Sequence, residues 1–103
     1  MTVLETRLKN RSAEFLANQE SMLALVVDLR QRLEQIAQGG GAAARAKHTA
    51  RGKLLPRERV QTLLDPGTPF LELAPLAALD VYDNDAPCAG LITGIGRVAG
   101  IEC

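Results

Sequence analysis

The sequence predicts an α+β chain with its helices first and its strands last. Three observations carry that reading. A heptad-like apolar stripe runs over the first third. A triple glycine at 39–41 ends it. After the turn "DPGTP" at 65–69 the residues become β-favouring.

The stripe consists of Leu4, Leu8, Phe15, Met22, Val26, Leu29, Leu33 and Ile36. Steps of three, four and seven keep these side chains on one helical face, so the spacing predicts a long amphipathic helix. Thr2-x-x-Glu5 offers a capping box at its start. Asn10 and Ser12 offer a second start, so the first ten residues read as a separate turn or a frayed arm. The firm helix spans about 12–38, a rod of roughly 40 Å at 1.5 Å per residue. A rod that long cannot bury its stripe inside 103 residues; it is expected to lie across something larger or against a neighbouring subunit. Arg11 and Asn18 interrupt the stripe, which weakens a coiled-coil reading of it.

Gly39, Gly40 and Gly41 form a flexible joint. "AAARAKHTA" then predicts a short helix over 42–50 that Gly52 ends. "LPRERVQTLLD" predicts a third helix with Pro56 at its first position, and Val60, Leu63 and Leu64 are expected to face inward. "FLEL" at 70–73 reads as a short strand, 78–87 as an exposed polar loop, and "LITGIGRV" at 91–98 as a strand. Ala99-Gly100 is a two-residue turn leading into a returning strand at Ile101. A returning arm of three residues is not a stable edge, so the chain reads as the front part of a larger protein.

Charge is segregated although the formal net charge is zero. Residues 39–59 hold six basic side chains (Arg45, Lys47, Arg51, Lys53, Arg57, Arg59) against Glu58 alone, whereas 60–103 hold six acidic ones against Arg97 alone. Arginine forks and lysine point charges around Gly52 suit phosphate groups. The bland alternatives are a solvated basic surface or ion pairs to the acidic half of the chain.

Several chemistries find no support. Only three aromatic residues are present and no docking motif accompanies the basic cluster, which argues against nucleic acid as a partner. No apolar run reaches about 18 residues, and "MTVLETRLKNRSAEF" has no apolar signal core, so neither a membrane span nor a secretory signal is expected. Cys88, Cys103 and His48 are too few for a zinc site, and the two cysteines read as reduced thiols. His48 has no nucleophile or orienting carboxylate beside it, so no catalytic residue is assigned. Gly94-x-Gly96-x-x-x-Gly100 misses the dinucleotide fingerprint by one residue and lies in a strand pattern; close backbone approach in a twisted hairpin explains it better.

"ARAKHTARGKLLPRERVQTLLDPGTPFLEL" followed by "AGLITGIGRVAGIEC" resembles the N-terminal region of carboxyltransferase (β) subunits of biotin-dependent acyl-CoA carboxylases. "RGKLLPRERV" with "LLDPGTPFLEL" is most similar to the methylcrotonyl-CoA and geranyl-CoA branch; the propionyl-CoA branch shares "RGK" and "RER". The resemblance covers roughly residues 12–103. It implies a helical arm at 1–38, a glycine joint with two short basic helices at 39–65, and from 66 to 103 the first strands of an incomplete crotonase-like ββα-spiral domain. It also implies transfer of a carboxyl group from carboxybiotin to 3-methylcrotonyl-CoA or geranyl-CoA, within an oligomer of β subunits and a biotin-carrying α subunit. The compartment would be the bacterial cytoplasm, or the mitochondrial matrix in a eukaryote. The family's glycine-rich oxyanion segments lie downstream of Cys103, so this segment alone is not expected to catalyse. CoA carries a 3′-phosphate and a pyrophosphate, which makes Arg45, Lys47, Arg51 and Lys53 the candidate phosphate contacts, while Arg57 and Arg59 are assigned to packing or ion pairs. A propionyl-CoA-type fragment and a non-enzymatic helical interaction module are the alternatives.

Overall fold

The computed structural model describes residues 3–103. The order is three helices, α1 (Ala13–Ala37), α2 (Ala42–Thr49) and α3 (Pro56–Leu63), then four short strands, β1 (Leu71–Leu73), β2 (Thr93–Ile95), β3 (Arg97–Val98) and β4 (Ile101–Glu102). The α+β class and the helix-then-strand order follow the sequence reading. Tertiary contacts group the chain into two units, one ending at Gln31 and one running from Arg32 to Cys103.

In the first unit, residues 3–9 have no regular structure and Asn10-Arg11 form a turn. Ser12 caps α1, its hydroxyl accepting the Phe15 N–H at 3.2 Å. The later of the two anticipated starts is therefore the one used; the Thr2 capping box lies outside the described residues. The apolar stripe is largely uncovered, with Leu8 71% exposed and Met22 60% exposed.

In the second unit, Gly39 (φ 68°) terminates α1 and donates its N–H to the Ile36 carbonyl at 2.9 Å. A left-handed residue just past a helix is where glycine is least penalised. The joint leads into α2, whose Thr49 hydroxyl donates to the carbonyls of Arg45 and Ala46. The His48 ring nitrogen Nε2 lies 2.9 Å from the Leu54 carbonyl and ties α2 to the segment before α3. At α3, Pro56 holds the first position, and Glu58 reaches back to accept the Leu55 N–H at 2.7 Å. That is the carboxylate half of a capping box; the Leu55 side chain has no oxygen to supply the other half.

The inward face of α3 differs from the expected one. Val60 and Leu64 are half-buried, but Leu63 is 65% exposed. Helix α3 ends at Leu63, and Leu64 leaves it with an extended backbone (ψ 151°). Leu64 therefore reaches the hairpin beyond the helix end, and the half-covered residues of α3 are Arg57 and Val60, beside Phe70.

Arg57 makes a forked ion pair. Its Nη1 and Nη2 donate to the two Glu72 carboxylate oxygens at 2.5 and 2.8 Å. The carboxylate holds the Arg57 guanidinium more firmly in its charged form than a free arginine, partial burial opposing this. The pair fastens α3 to β1 and joins the basic segment to the acidic half. Arg57→Ala is expected to cost about 1–2 kcal/mol, below the figure for a fully buried pair because both side chains retain some solvent contact. A urea melt checks this, with Arg57→Lys recovering only part of the loss because lysine lacks the fork.

The strand predicted over 91–98 proves shorter and divided. β2 pairs antiparallel with β1, Leu71 opposite Ile95 and Leu73 opposite Thr93. β3 pairs antiparallel with β4, Arg97 opposite Glu102 and Val98 opposite Ile101. Gly96, between them, exchanges both backbone hydrogen bonds with Cys103, at 3.1 and 2.9 Å. Residues 93–98 thus switch partners at Gly96. A β-carbon at Gly96 would collide with Leu64 Cδ2; one at Gly94 would collide with the Phe70 ring and stand 2.6 Å from the Leu71 carbonyl oxygen. Close approach, as anticipated, is what these glycines permit.

The Ala99-Gly100 turn has positive φ at both residues (49° and 82°), the requirement of a type I′ hairpin. Asp65 secures it. Its two carboxylate oxygens accept the N–H groups of Ala99 and Gly100 at 2.8 Å each, while its own N–H donates to the Arg97 carbonyl at 2.8 Å.

Between β1 and β2, residues 74–92 form successive tight turns. Asp80–Asp85 are exposed as expected, but 75–79 and 86–88 are half-buried. Ala74, Ala78, Asp80, Tyr82, Asp83, Asn84, Cys88 and Ala89 all have positive φ. Each such non-glycine residue costs roughly 1–2 kcal/mol, which makes this the most strained stretch described.

Among the described residues only Ile36 and Gly96 are buried. The chain exposes 8971 Å², whereas a folded monomer of its mass exposes about 5,600 Å² by the usual scaling. Apolar side chains exposed in this chain include Leu8, Met22, Leu25 and Leu91.

Candidate functional site

The site is built where the end of α1, the glycine joint and the N-terminus of α3 converge in the second unit. They enclose an open cavity of about 500 Å³ with a mainly apolar lining that includes Ile36, Leu55, Pro56 and Ile92. Two arginines project into it. Arg57 is held by Glu72. Arg45, on α2, donates from Nη1 to Gln38 Oε1 at 2.7 Å, and its buried Nε has no partner. An unpartnered buried donor is costly, and in a cavity it offers a hydrogen bond to any oxygen that enters. Cys88, a free thiol, also lines it.

The four candidate phosphate contacts do not converge on one point. Arg45 lines this cavity. Lys53 lines a second, shallower depression of about 390 Å³ with His48, Leu54 and Arg59. Lys47 and Arg51 are exposed and line neither. The basic segment therefore presents two cationic places, one at Arg45 and one at Lys53 and Arg59. Gln38 and Arg59 were not among the sequence candidates. Gln38 carries no charge and sits at a helix end, so composition gave no signal. Arg59 was assigned to packing or subunit ion pairs because its helix has to turn Val60, Leu63 and Leu64 inward; it is exposed and lines a depression with Lys53.

No histidine–thiol pair or metal cluster accompanies these cations. His48 serves the Leu54 carbonyl, and Cys88 and Cys103 are both free thiols. No group of three His, Cys, Asp or Glu that could hold a metal occurs among the described residues. The arrangement can bind anions and position an apolar group beside them.

Residues 47–103 match the family model of the carboxyl transferase domain. That stretch is more than half of the chain and includes Lys47, Arg51, Lys53, the Arg57–Glu72 pair and both hairpins. The chain belongs to the carboxyl transferase domain family. A biotin-dependent 3-methylcrotonyl-coenzyme A carboxylase β1 subunit of Mycobacterium tuberculosis is 61% identical over 79 residues, which are 77% of this chain and 15% of that protein. A probable mitochondrial methylcrotonoyl-CoA carboxylase β chain of Drosophila melanogaster is 47% identical over 98% of this chain and 18% of its own length. The crystal structure of the β subunit of geranyl-CoA carboxylase from P. aeruginosa superposes with a TM-score of 0.84 at 40% identity, covering 99% of this chain and 19% of that one. The carboxyl transferase chain thus spans less than a fifth of these relatives. No helix among its described residues is long and apolar enough to cross a membrane.

Proposed function

We propose that this chain is the N-terminal part of an acyl-CoA carboxylase β subunit that transfers a carboxyl group from carboxybiotin to a branched enoyl-CoA, 3-methylcrotonyl-CoA or geranyl-CoA. The observation that carries the proposal is the match of nearly the whole chain to both a methylcrotonoyl-CoA carboxylase β chain and a geranyl-CoA carboxylase β subunit. On this reading the three parts are the helical arm at 1–38, the joint and basic helices at 39–65, and the opening strands of a crotonase-like domain at 66–103. Carboxybiotin arrives on an α subunit as a substrate, and the β subunits form the oligomeric core. Relatives include bacterial and mitochondrial proteins, so the compartment is the cytoplasm of a bacterium or the mitochondrial matrix.

The role of this segment is to hold substrate. The reaction needs the acyl-CoA thioester fixed while the γ-methyl proton passes to the ureido nitrogen whose bond to the carboxyl group breaks, and the resulting dienolate bonds to the carboxyl carbon, releasing biotin. Enolate stabilisation belongs to backbone N–H groups elsewhere in the subunit. Arg45, Lys47, Arg51 and Lys53 take the CoA phosphates; the separation of Arg45 from Lys53 suits a ligand whose 3′-phosphate and pyrophosphate are themselves separated. The free Arg45 Nε and the exposed ammonium groups fit anionic oxygens.

Arg51→Ala and Lys53→Ala, in a carboxylase whose β subunit carries this segment, are expected to raise KM for acyl-CoA roughly three- to tenfold each, at about 1 kcal/mol per charge-assisted contact. The effect should shrink for 3′-dephospho-CoA esters, and kcat should hold. Unchanged KM values would assign both residues to the surface.

A further inference from the structure

His48 closes a turn that carries two cations. Helix α2 ends at Thr49, and the chain then passes through Arg51, Gly52 and Lys53 before it reaches α3. On the way in, the Arg51 N–H donates to the His48 carbonyl at 3.2 Å, and the Gly52 N–H donates to the Thr49 carbonyl at 2.9 Å. Gly52 has φ 70°, the left-handed conformation that turns the backbone away from a helix end. On the way out, Nε2 of the His48 ring lies 2.9 Å from the Leu54 carbonyl. One residue therefore holds both ends of the turn, the first with its backbone and the last with its ring. All of these bonds lie within residues 48–54, so they need nothing from the rest of a subunit.

The ring bond matters most for Lys53. Among the described residues it is the only hydrogen bond that reaches Lys53 or Leu54. His48, Lys53, Leu54 and Arg59 line one depression, so a swing of the Leu54 peptide moves the Lys53 charge relative to Arg59. A carbonyl oxygen can only accept, so Nε2 carries a proton. The neutral ring in that tautomer and the imidazolium both donate, and the bond does not depend on the charge of the ring.

We propose that His48 is a positioning residue for acyl-CoA binding: its ring fixes the 51–53 turn so that Arg51 and Lys53 meet phosphate oxygens already placed. It acts through the Leu54 peptide and not on the substrate. A turn that is held before the ligand arrives loses less freedom on binding than a loose one, and that difference appears as affinity. The proposal rests on the reading of Arg51 and Lys53 as CoA-phosphate contacts.

The test uses a carboxylase whose β subunit carries this segment. His48→Phe keeps a flat ring and removes the donor; it is expected to raise KM for acyl-CoA about threefold while kcat holds. His48→Gln should recover most of the parent KM, because the glutamine Nε2 stands as many bonds from Cα as the histidine Nε2 and also donates. His48→Asn is one bond too short to reach and should behave as His48→Phe does; it takes that variant's place should the phenylalanine variant fail to assemble. An Arg51→Ala, Lys53→Ala double variant separates positioning from mere support of the fold. There His48→Phe should change KM by less than about 1.5-fold, since the turn no longer carries a cation to misplace. A rise in KM that persists at full size in that background would overturn the proposal, as would a glutamine variant as impaired as the phenylalanine one. A raised KM in the double variant with an unchanged one in His48→Phe overturns the proposal alone and leaves the phosphate reading standing. An unchanged KM in the double variant removes the phosphate reading, and the proposal with it.

Discussion

Gly94→Ala is expected to destabilise the second unit by about 2–3 kcal/mol. The added methyl would meet the Phe70 ring on one side and the Leu71 carbonyl oxygen at 2.6 Å on the other. The ring can turn, but the oxygen belongs to the strand that pairs with β2, so relief requires β1 and β2 to separate. Glu72 lies directly opposite Gly94 in the register and carries the Arg57 pair, so the disturbance extends to α3. A denaturant melt of a β subunit carrying this segment checks the magnitude. Gly41→Ala is the control: its φ is −56° and a β-carbon there meets nothing within 4 Å. Alanine at that position should change stability by less than about 0.5 kcal/mol.

Asp65→Ala is the second large effect, expected to cost about 2 kcal/mol. Two charge-assisted hydrogen bonds to the Ala99 and Gly100 N–H groups disappear together, each worth about 1.5–3 kcal/mol at full value and less where water competes. The turn they hold contains a left-handed alanine, so losing them removes the compensation for its strain. Asp65→Asn keeps one acceptor oxygen and should lose about half as much. Amide hydrogen exchange at Ala99 and Gly100 should accelerate in both variants. The Asp65 N–H to Arg97 carbonyl bond, which is backbone, should persist in both.

The helices were legible because their signals are local. Ser12, Gly39, Pro56 and the apolar spacing act within a turn or two, and each fixes an end or a face of one helix. The hairpin turn was legible for the same reason. The division of the 91–98 strand was not, because it is made by distant residues: Leu71–Leu73 pair with its first half and Ile101–Cys103 with its second. The exposure of Leu63 was hidden similarly. Its spacing from Val60 is that of a buried face, but the helix stops at Leu63 and hands the next contact to Leu64. At the candidate site, composition marked where positive charge collects, and folding decided what each charge does. Arg57 turns to Glu72, Arg45 to Gln38, and Lys53 stands with Arg59, none of which is a sequence neighbour within a turn.

The proposed function makes this chain the N-terminal part of a branched enoyl-CoA carboxyltransferase. The direct measurement replaces the corresponding segment of the M. tuberculosis 3-methylcrotonyl-CoA carboxylase β1 subunit, over the 79 residues that are 61% identical, with this sequence. The hybrid is assembled with its biotin-carrying partner, and carboxylation of 3-methylcrotonyl-CoA, geranyl-CoA and propionyl-CoA is followed. The hybrid is expected to carboxylate a branched enoyl-CoA with kcat/KM within about tenfold of the parent enzyme. A hybrid that assembles and takes up carboxybiotin, yet carboxylates no branched enoyl-CoA, would contradict it.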